Sequence, residues 1–241
     1  MKSLMSPNTV ISNVVVQESS SLPVFEDKTG FFEQGSLSKK PKNTLTKKQQ
    51  KAVATILGRA FAQDSFMAYV LPDSTTRVQQ LSKLFSPLIY ASQHYGVVNV
   101  TPGDSGVLAW IPGQFLSSSI NFLDLLRSGV FWLPWSVGQD AFQRFKAHDT
   151  VCEHALFNNA PKNFAYLWAV GVHPDHTGQG LGKKMINQAL EQMRCQGYTT
   201  CWLRTENPKN VGLYEHLGFK QVHTEIPSVS GQQYWLMFQN L

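Results

Sequence analysis

The stretch from Tyr166 to Gln196 constrains the chain most. An apolar run from Phe164 to Val172 stops at Pro174, and glycines follow at Gly178, Gly180 and Gly182. Leu181, Met185, Ile186, Ala189, Leu190 and Met193 then recur at helical intervals. The order predicts strand, glycine turn, helix, and such a turn suits an anion. Glycines let backbone amides approach a ligand with no side chain in the way. The first turn of the helix adds unpaired N–H groups and a positive dipole end, and Lys183 and Lys184 add charge. The spacing is neither G-x-G-x-x-G nor the P-loop pattern. The residues alone therefore read either as a phosphate site with its ligand unspecified or as a tight turn before a surface helix.

Upstream, Thr46 followed by Gln49 has the form of a capping box. Ala52, Val53, Ile56, Leu57, Ala60 and Phe61 give the helix after it an apolar face. A second helix is predicted over Thr75–Gln93, kinked or divided by Pro87. Tyr95–Val100 and Gly106–Ile111 read as a strand pair turning at Thr101-Pro-Gly-Asp-Ser105. Between Phe115 and Lys162 the pattern weakens. A short amphipathic helix is predicted through Ile120, Leu123 and Leu125 or Leu126, and another over Gln139–Ala155. Phe131, Trp132 and Trp135 read as core covering the sheet end, with an acceptor-pocket wall as the alternative. Further on come a strand over Tyr198–Arg204 and a helix capped by Asn207 with Pro208 at its first position. A last strand pair is expected over Phe219–Ile226 and Gln233–Phe238.

Two motifs in this order resemble the GNAT superfamily of acyl-CoA-dependent N-acetyltransferases. The first is Val172-His173-Pro174 through Gly182. The family's usual Arg or Gln, two variable residues, Gly, one variable residue and Gly or Ala falls here on Thr177, Gly178, Gln179, Gly180, Leu181 and Gly182. Thr177 departs from the pattern, which removes one side-chain contact but no backbone amide. The second is Asn207, Asn210, Leu213, Tyr214, Gly218 and Phe219. The resemblance implies a single-domain α/β N-acetyltransferase fold, a mixed central sheet with splayed central strands flanked by helices. It implies acetyl-CoA as co-substrate and transfer of its acetyl group to a primary amine of a small molecule. The alternatives are a protein N-terminal or lysine acetyltransferase and, in another class, a non-catalytic acyl-CoA-binding module. By the same resemblance, Thr177, Gly178, Gln179, Gly180, Leu181, Gly182 and Lys183 face the pyrophosphate. Val170, Gly171 and Val172 hold the pantetheine arm, with Asn207 or Asn210 beside it. Tyr214 protonates the leaving thiolate. Many relatives place an acidic residue on the strand before the glycines, but residues 164–172 contain none. Glu206, Glu153, His173 and His154 remain as proton acceptors. Glu206 ranks first because it ends a strand expected to be parallel, and a helix-start carboxylate is its bland alternative.

Composition sets the limits of this reading. Of 241 residues 42% are hydrophobic and 15% charged, which suits one large core, a domain over 44–241. Residues 1–43 read as a poorly ordered N-terminal extension, leaving Val10–Gln17 as a strand of the sheet, an edge addition or disorder. The net charge of +5 gathers at Lys39, Lys40, Lys42, Lys47, Lys48 and Lys51. With no nucleic-acid motif beside it, that cluster reads as a solvated linker and helix start. Cys152, Cys195 and Cys201 show no metal or disulfide spacing, so no metal is expected. The start of the chain lacks the apolar run of a signal peptide, and no run approaches a membrane span. The expectation is a cytoplasmic monomer or homodimer without stable membrane association, with a transit peptide left open by the Ser- and Lys-containing first residues.

Overall fold

The computed structural model describes residues 45–117 and 122–241. The expectations for 1–43, Val10–Gln17 included, and for Ile120 lie outside them. Chain order begins with three helices, α1 (Lys47–Ala60), α2 (Ser65–Val70) and α3 (Arg77–Tyr95). The strands β1 (Val97–Val100) and β2 (Gly106–Pro112) follow, then α4 (Gln114–Ser117), α5 (Phe122–Ser128), α6 (Leu133–Val137) and α7 (Gln139–Asn159). The second half runs β3 (Ala165–Val172), α8 (Leu181–Cys195), β4 (Thr200–Thr205), α9 (Pro208–His216), β5 (Lys220–Glu225) and β6 (Tyr234–Asn240).

Local chemistry places these elements. Thr46 and Gln49 form the predicted capping box at α1. Asn207 caps α9 through the Lys209 N–H, with Pro208 following. On α8 the residues Met185, Ile186, Ala189, Leu190 and Met193 are buried as their spacing predicted, and Leu181 at its first turn is half-buried. Two expectations need correction. First, Pro87 does not divide α3, which runs through it as one helix. Second, the apolar face of α5 turns Leu125 inward and leaves Leu123 and Leu126 exposed.

The six strands form one sheet in the order β1-β2-β3-β4-β6-β5. Every neighbouring pair is antiparallel except β3 and β4, which run parallel. This is the mixed sheet expected. The register of β2 places Val107, Ala109 and Ile111 on one face and Leu108 and Trp110 on the other. All are buried, because helices cover both faces. One side carries α1, α2, α3 and the α5–α7 region, and the other carries α8. Close approach requires glycine at two points. A Cβ on Gly58 would stand 2.5 Å from Ser82 Oγ and 2.7 Å from Val78 O, so α1 and α3 cross nearly backbone to backbone. A Cβ on Gly171 would stand 2.8 Å from Leu57 Cδ2, which seats α1 directly on β3.

The pairing that positions the site is the short one. Strands β3 and β4 pair only where Ala165, Tyr166 and Leu167 meet Cys201, Trp202 and Leu203. Beyond these residues β3 continues to Val172 and β4 to Thr205, each still paired on its outer side. The two strands therefore part in the middle of the sheet, and their inward-facing backbone groups open onto a cavity.

Candidate active site

That cavity, about 410 Å³, lies in the gap and under the helices. One end is lined by Val170, Gly171, Val172, Thr177, Asn207, Asn210 and Tyr214, all expected from sequence, and Glu206 lies further in. Among the described residues the Tyr214 hydroxyl makes no hydrogen bond, and its ring packs edge-on against Phe219 at 5.7 Å. Burial, followed by the charge of Glu206, pushes its phenol up to about 12, so it is a neutral donor at pH 7.

The glycine loop is not part of the cavity wall. Gly178, Gln179 and Gly180 are exposed beyond its mouth, Leu181 and Gly182 half-buried, and Lys183 exposed beside His216 at 3.4 Å. Gly178 and Gly180 hold φ of 77° and 72°, the left-handed region where side chains other than glycine are strained. A Cβ on either would meet none of the described residues within 4 Å, so among them the space over the loop is open. Gly180 is the N-cap of α8 and no side chain caps that end. The first-turn amides are thus left to a ligand or water. A pyrophosphate fits this end in charge, in donor supply and in room. Thr177 Oγ donates to Pro174 O at 2.9 Å, so its short side chain is spent on its own turn.

Below the mouth sits an ionic cluster that linear spacing did not reveal. Arg204 Nη1 is 2.6 Å from Asp149 Oδ1 and its Nε is 2.6 Å from Glu206 Oε1. His148, fully buried, reaches Glu206 at 3.5 Å, Ser230 Oγ at 2.8 Å and Cys152 Sγ at 3.4 Å. Burial alone would raise the Glu206 carboxyl, but the Arg204 guanidinium and then His148 outweigh it and hold it below its usual range. His148, Cys152 and Glu206 bring one ligand-type atom each within 4.8 Å of one another. The guanidinium already engages the Glu206 oxygen of that trio. His148 and Asp149 are consecutive, buried residues of α7, whereas Arg204, Glu206 and Ser230 lie on β4 and beyond it. Only the fold joins them.

The other proton-acceptor candidates lie elsewhere. His173 contacts Arg59 at 3.0 Å on the far side of α1, and His154 is exposed on α7. Neither lines the cavity, nor does Glu153. Burial, then the charge of Asp149, raises Glu153 to about 8. Its folded pKa thus exceeds the unfolded value of 4.5, so its contribution to stability is full below about pH 4.5 and is lost as the pH rises toward 8. Glu153→Gln removes that titration. The mutant's melting temperature should equal wild type near about pH 5 and exceed it by several degrees near about pH 8.5. An offset that does not change with pH would show that Glu153 carries no such burial cost.

Phe131 is half-buried against the helical core, but Trp132 and Trp135 are 65% and 77% exposed. Neither tryptophan is core or cavity wall, which corrects both readings. Each sits on the outer face of a short helical turn whose inner positions, Val130 and Leu133, fill the core. The residues between 115 and 162 that do line the cavity are Asp124, Leu125, Ser128, Val130, Phe145 and Asp149. Asp64 lines it too, and the sequence carried a signal for it: Asp64-Ser65 is the N-cap of α2, accepting from the Phe66 and Met67 N–H groups at 3.1 Å each.

Comparison with known proteins agrees with this geometry. The model of the acetyltransferase (GNAT) family matches residues 125–219. Mycothiol acetyltransferase of Streptomyces scabiei is 30% identical over 95 residues, 39% of this chain and 31% of that protein. The ribosomal protein bS18-alanine N-acetyltransferase of Escherichia coli K12 is 36% identical over 59 residues, 24% of this chain and 40% of that protein. The matched stretches thus span about a third of these curated relatives, 31% and 40%. Among solved structures, a Corynebacterium glutamicum protein described as histone acetyltransferase HPA2 and related acetyltransferase superposes with a TM-score of 0.50 at 18% identity. It covers 82% of this chain and 93% of its own. The mosquito arylalkylamine N-acetyltransferase like 5b superposes at 0.51 with 14% identity, covering 80% and 96%. At these identities the structures show the shared fold.

Proposed function

We propose that this chain, whose fold and sequence matches are those of the GNAT acetyltransferase superfamily, transfers an acetyl group from acetyl-CoA to a primary amine of a small molecule. The observation that carries the reading is the parting of β3 from β4 beyond Leu167 and Leu203. It frees the backbone of Val170–Val172 toward a cavity that begins beside the glycine loop and passes Tyr214. Exposed amides of the turn at Gly178–Gly182 with Lys183 suit the pyrophosphate. The freed edge of β3, with Asn207 and Asn210 opposite, suits an amide-bearing arm that enters the gap.

In this reading the amine enters as an ammonium, since its pKa lies far above 7. It gives one proton to a carboxylate or to water, then attacks the thioester carbonyl. A C–N bond forms, the C–S bond breaks, and the second amine proton offsets the one that the departing thiolate takes from Tyr214. Glu206 contributes charge at the acceptor side. Its pairing with Arg204 lowers its proton affinity, which makes it a poor base. No helix among the described residues is long and apolar enough to cross a membrane.

The test is direct. Purified chain incubated with acetyl-CoA and a panel of amines should release free thiol, with acetylated amine found by mass spectrometry. Tight acetyl-CoA binding with no product from any amine, peptide or protein lysine would leave the non-catalytic binding module as the better reading.

A further inference from the structure

The cavity continues past the transfer point into a lobe between the α1–α2 loop, α3 and α5. Its walls there are Phe61, Met67, Leu84, Phe85, Leu88 and Phe145. The polar groups at its far end are already engaged with one another. Tyr90 and Tyr95 both donate to Asp124, and Ser128 Oγ donates to Leu125 O at 2.7 Å. A ligand body rich in hydroxyls, amines or amides would leave its own groups unpaired there. An apolar body loses nothing and removes its surface from water.

The charges at the near end have a sign. Among the described residues Arg204 is the one cation on the wall, and it is shared between Asp149 and Glu206. Asp64 is left outside that exchange. One of its oxygens accepts the two α2 amides, while Oδ2 makes no hydrogen bond among the described residues. Burial raises its pKa, the α2 amides lower it and the like charge of Glu206 raises it again, leaving it above the usual carboxylate range.

We infer that Asp64 receives the ammonium of the acceptor and takes its proton, and that the lobe between α3 and α5 holds an apolar acceptor body, aromatic or aliphatic. The inference rests on the acetyl transfer proposed above and names the acceptor class of that same site. A monoamine with a hydrophobic body fits both ends. A polyamine, an aminoglycoside or a peptide places polar groups against the six apolar walls.

Asp64→Asn is the sharp variant, because Asn still caps α2 and removes only the charge. Thermal melting and acetyl-CoA titration should match wild type. With phenethylamine, kcat/KM should fall about 100-fold, while KM for acetyl-CoA stays within twofold. Across ethylamine, butylamine and phenethylamine on the wild-type chain, kcat/KM should rise by about fourfold per buried methylene. Leu88→Asn should flatten that series, with phenethylamine losing far more than ethylamine. If spermidine, an aminoglycoside or an alanine-initiated peptide outperforms phenethylamine, the acceptor class is overturned and acetyl transfer stands. If Asp64→Asn retains kcat/KM within threefold, its role is overturned. If no amine is acetylated although acetyl-CoA binds, the parent reading falls as well.

Discussion

Gly180→Glu is expected to lower acetyl-CoA affinity by at least about 100-fold, roughly 2.7 kcal/mol, while the chain still folds. The glycine occupies the N-cap of α8 at φ 72° and opens onto empty space. A side chain there strains the backbone by about 1–2 kcal/mol. A carboxylate beside the positive end of the helix returns about 0.3–1 kcal/mol of that, so the domain stays folded with a slightly lower melting temperature. The ligand receives no such relief. The carboxylate occupies the space proposed for the pyrophosphate and repels its charge. Gly180→Gln separates the two effects, having the bulk and strain without the charge, and it should fall between wild type and the glutamate variant. Calorimetric titration of the folded variants measures all three. An affinity for Gly180→Glu within twofold of wild type would remove the loop from the cofactor site.

Tyr214→Phe is expected to leave acetyl-CoA affinity unchanged and to reduce kcat by about 10- to 1,000-fold. The thiolate that leaves has a pKa near that of cysteine, about 8.5, so it needs a donor as its charge develops. Tyr214 lines the cavity, remains neutral at pH 7 because burial raises its phenol, and spends its hydroxyl on no neighbour among the described residues. The substitution therefore breaks no internal hydrogen bond and keeps the edge-on contact with Phe219. Stability should change little, and the loss should be kinetic. The comparison requires a substrate for which chemistry limits turnover. If kcat then stays within threefold, Tyr214 only packs, and water or another donor protonates the sulfur.

These two residues were legible in the sequence for the same reason. Each sits in a short segment whose own chemistry announces its shape: glycines before a helical repeat for Gly180, and Asn-Pro ahead of Leu-Tyr and a glycine stop for Tyr214. Thr46 with Gln49 at α1 and the buried stripe of α8 were readable in the same way. The segment from 115 to 162 was not. Its tryptophans read as core because they are large and apolar, yet burial of Trp132 and Trp135 depends on which face a two-turn helix presents. A helix so short has too few positions to fix that face by pattern.

By itself the sequence determined the strand, turn and helix proposed to face the cofactor, the cap and tyrosine of α9, and the single α/β domain around them. These follow from local rules of backbone sterics, capping and periodicity, acting over a few residues. Only the tertiary structure decided the side proposed for the acceptor. Asp149 lies on α7, Arg204 and Glu206 two residues apart at the end of β4, Asp64 ahead of α2 and Leu88 on α3, and no spacing relates these four segments. They meet because β3 and β4 part beyond Leu167 and Leu203 and helices from the first half of the chain close over the gap. A buried charge such as Arg204 holds its place only where long-range packing brings carboxylates to it, and that is a condition on the whole fold.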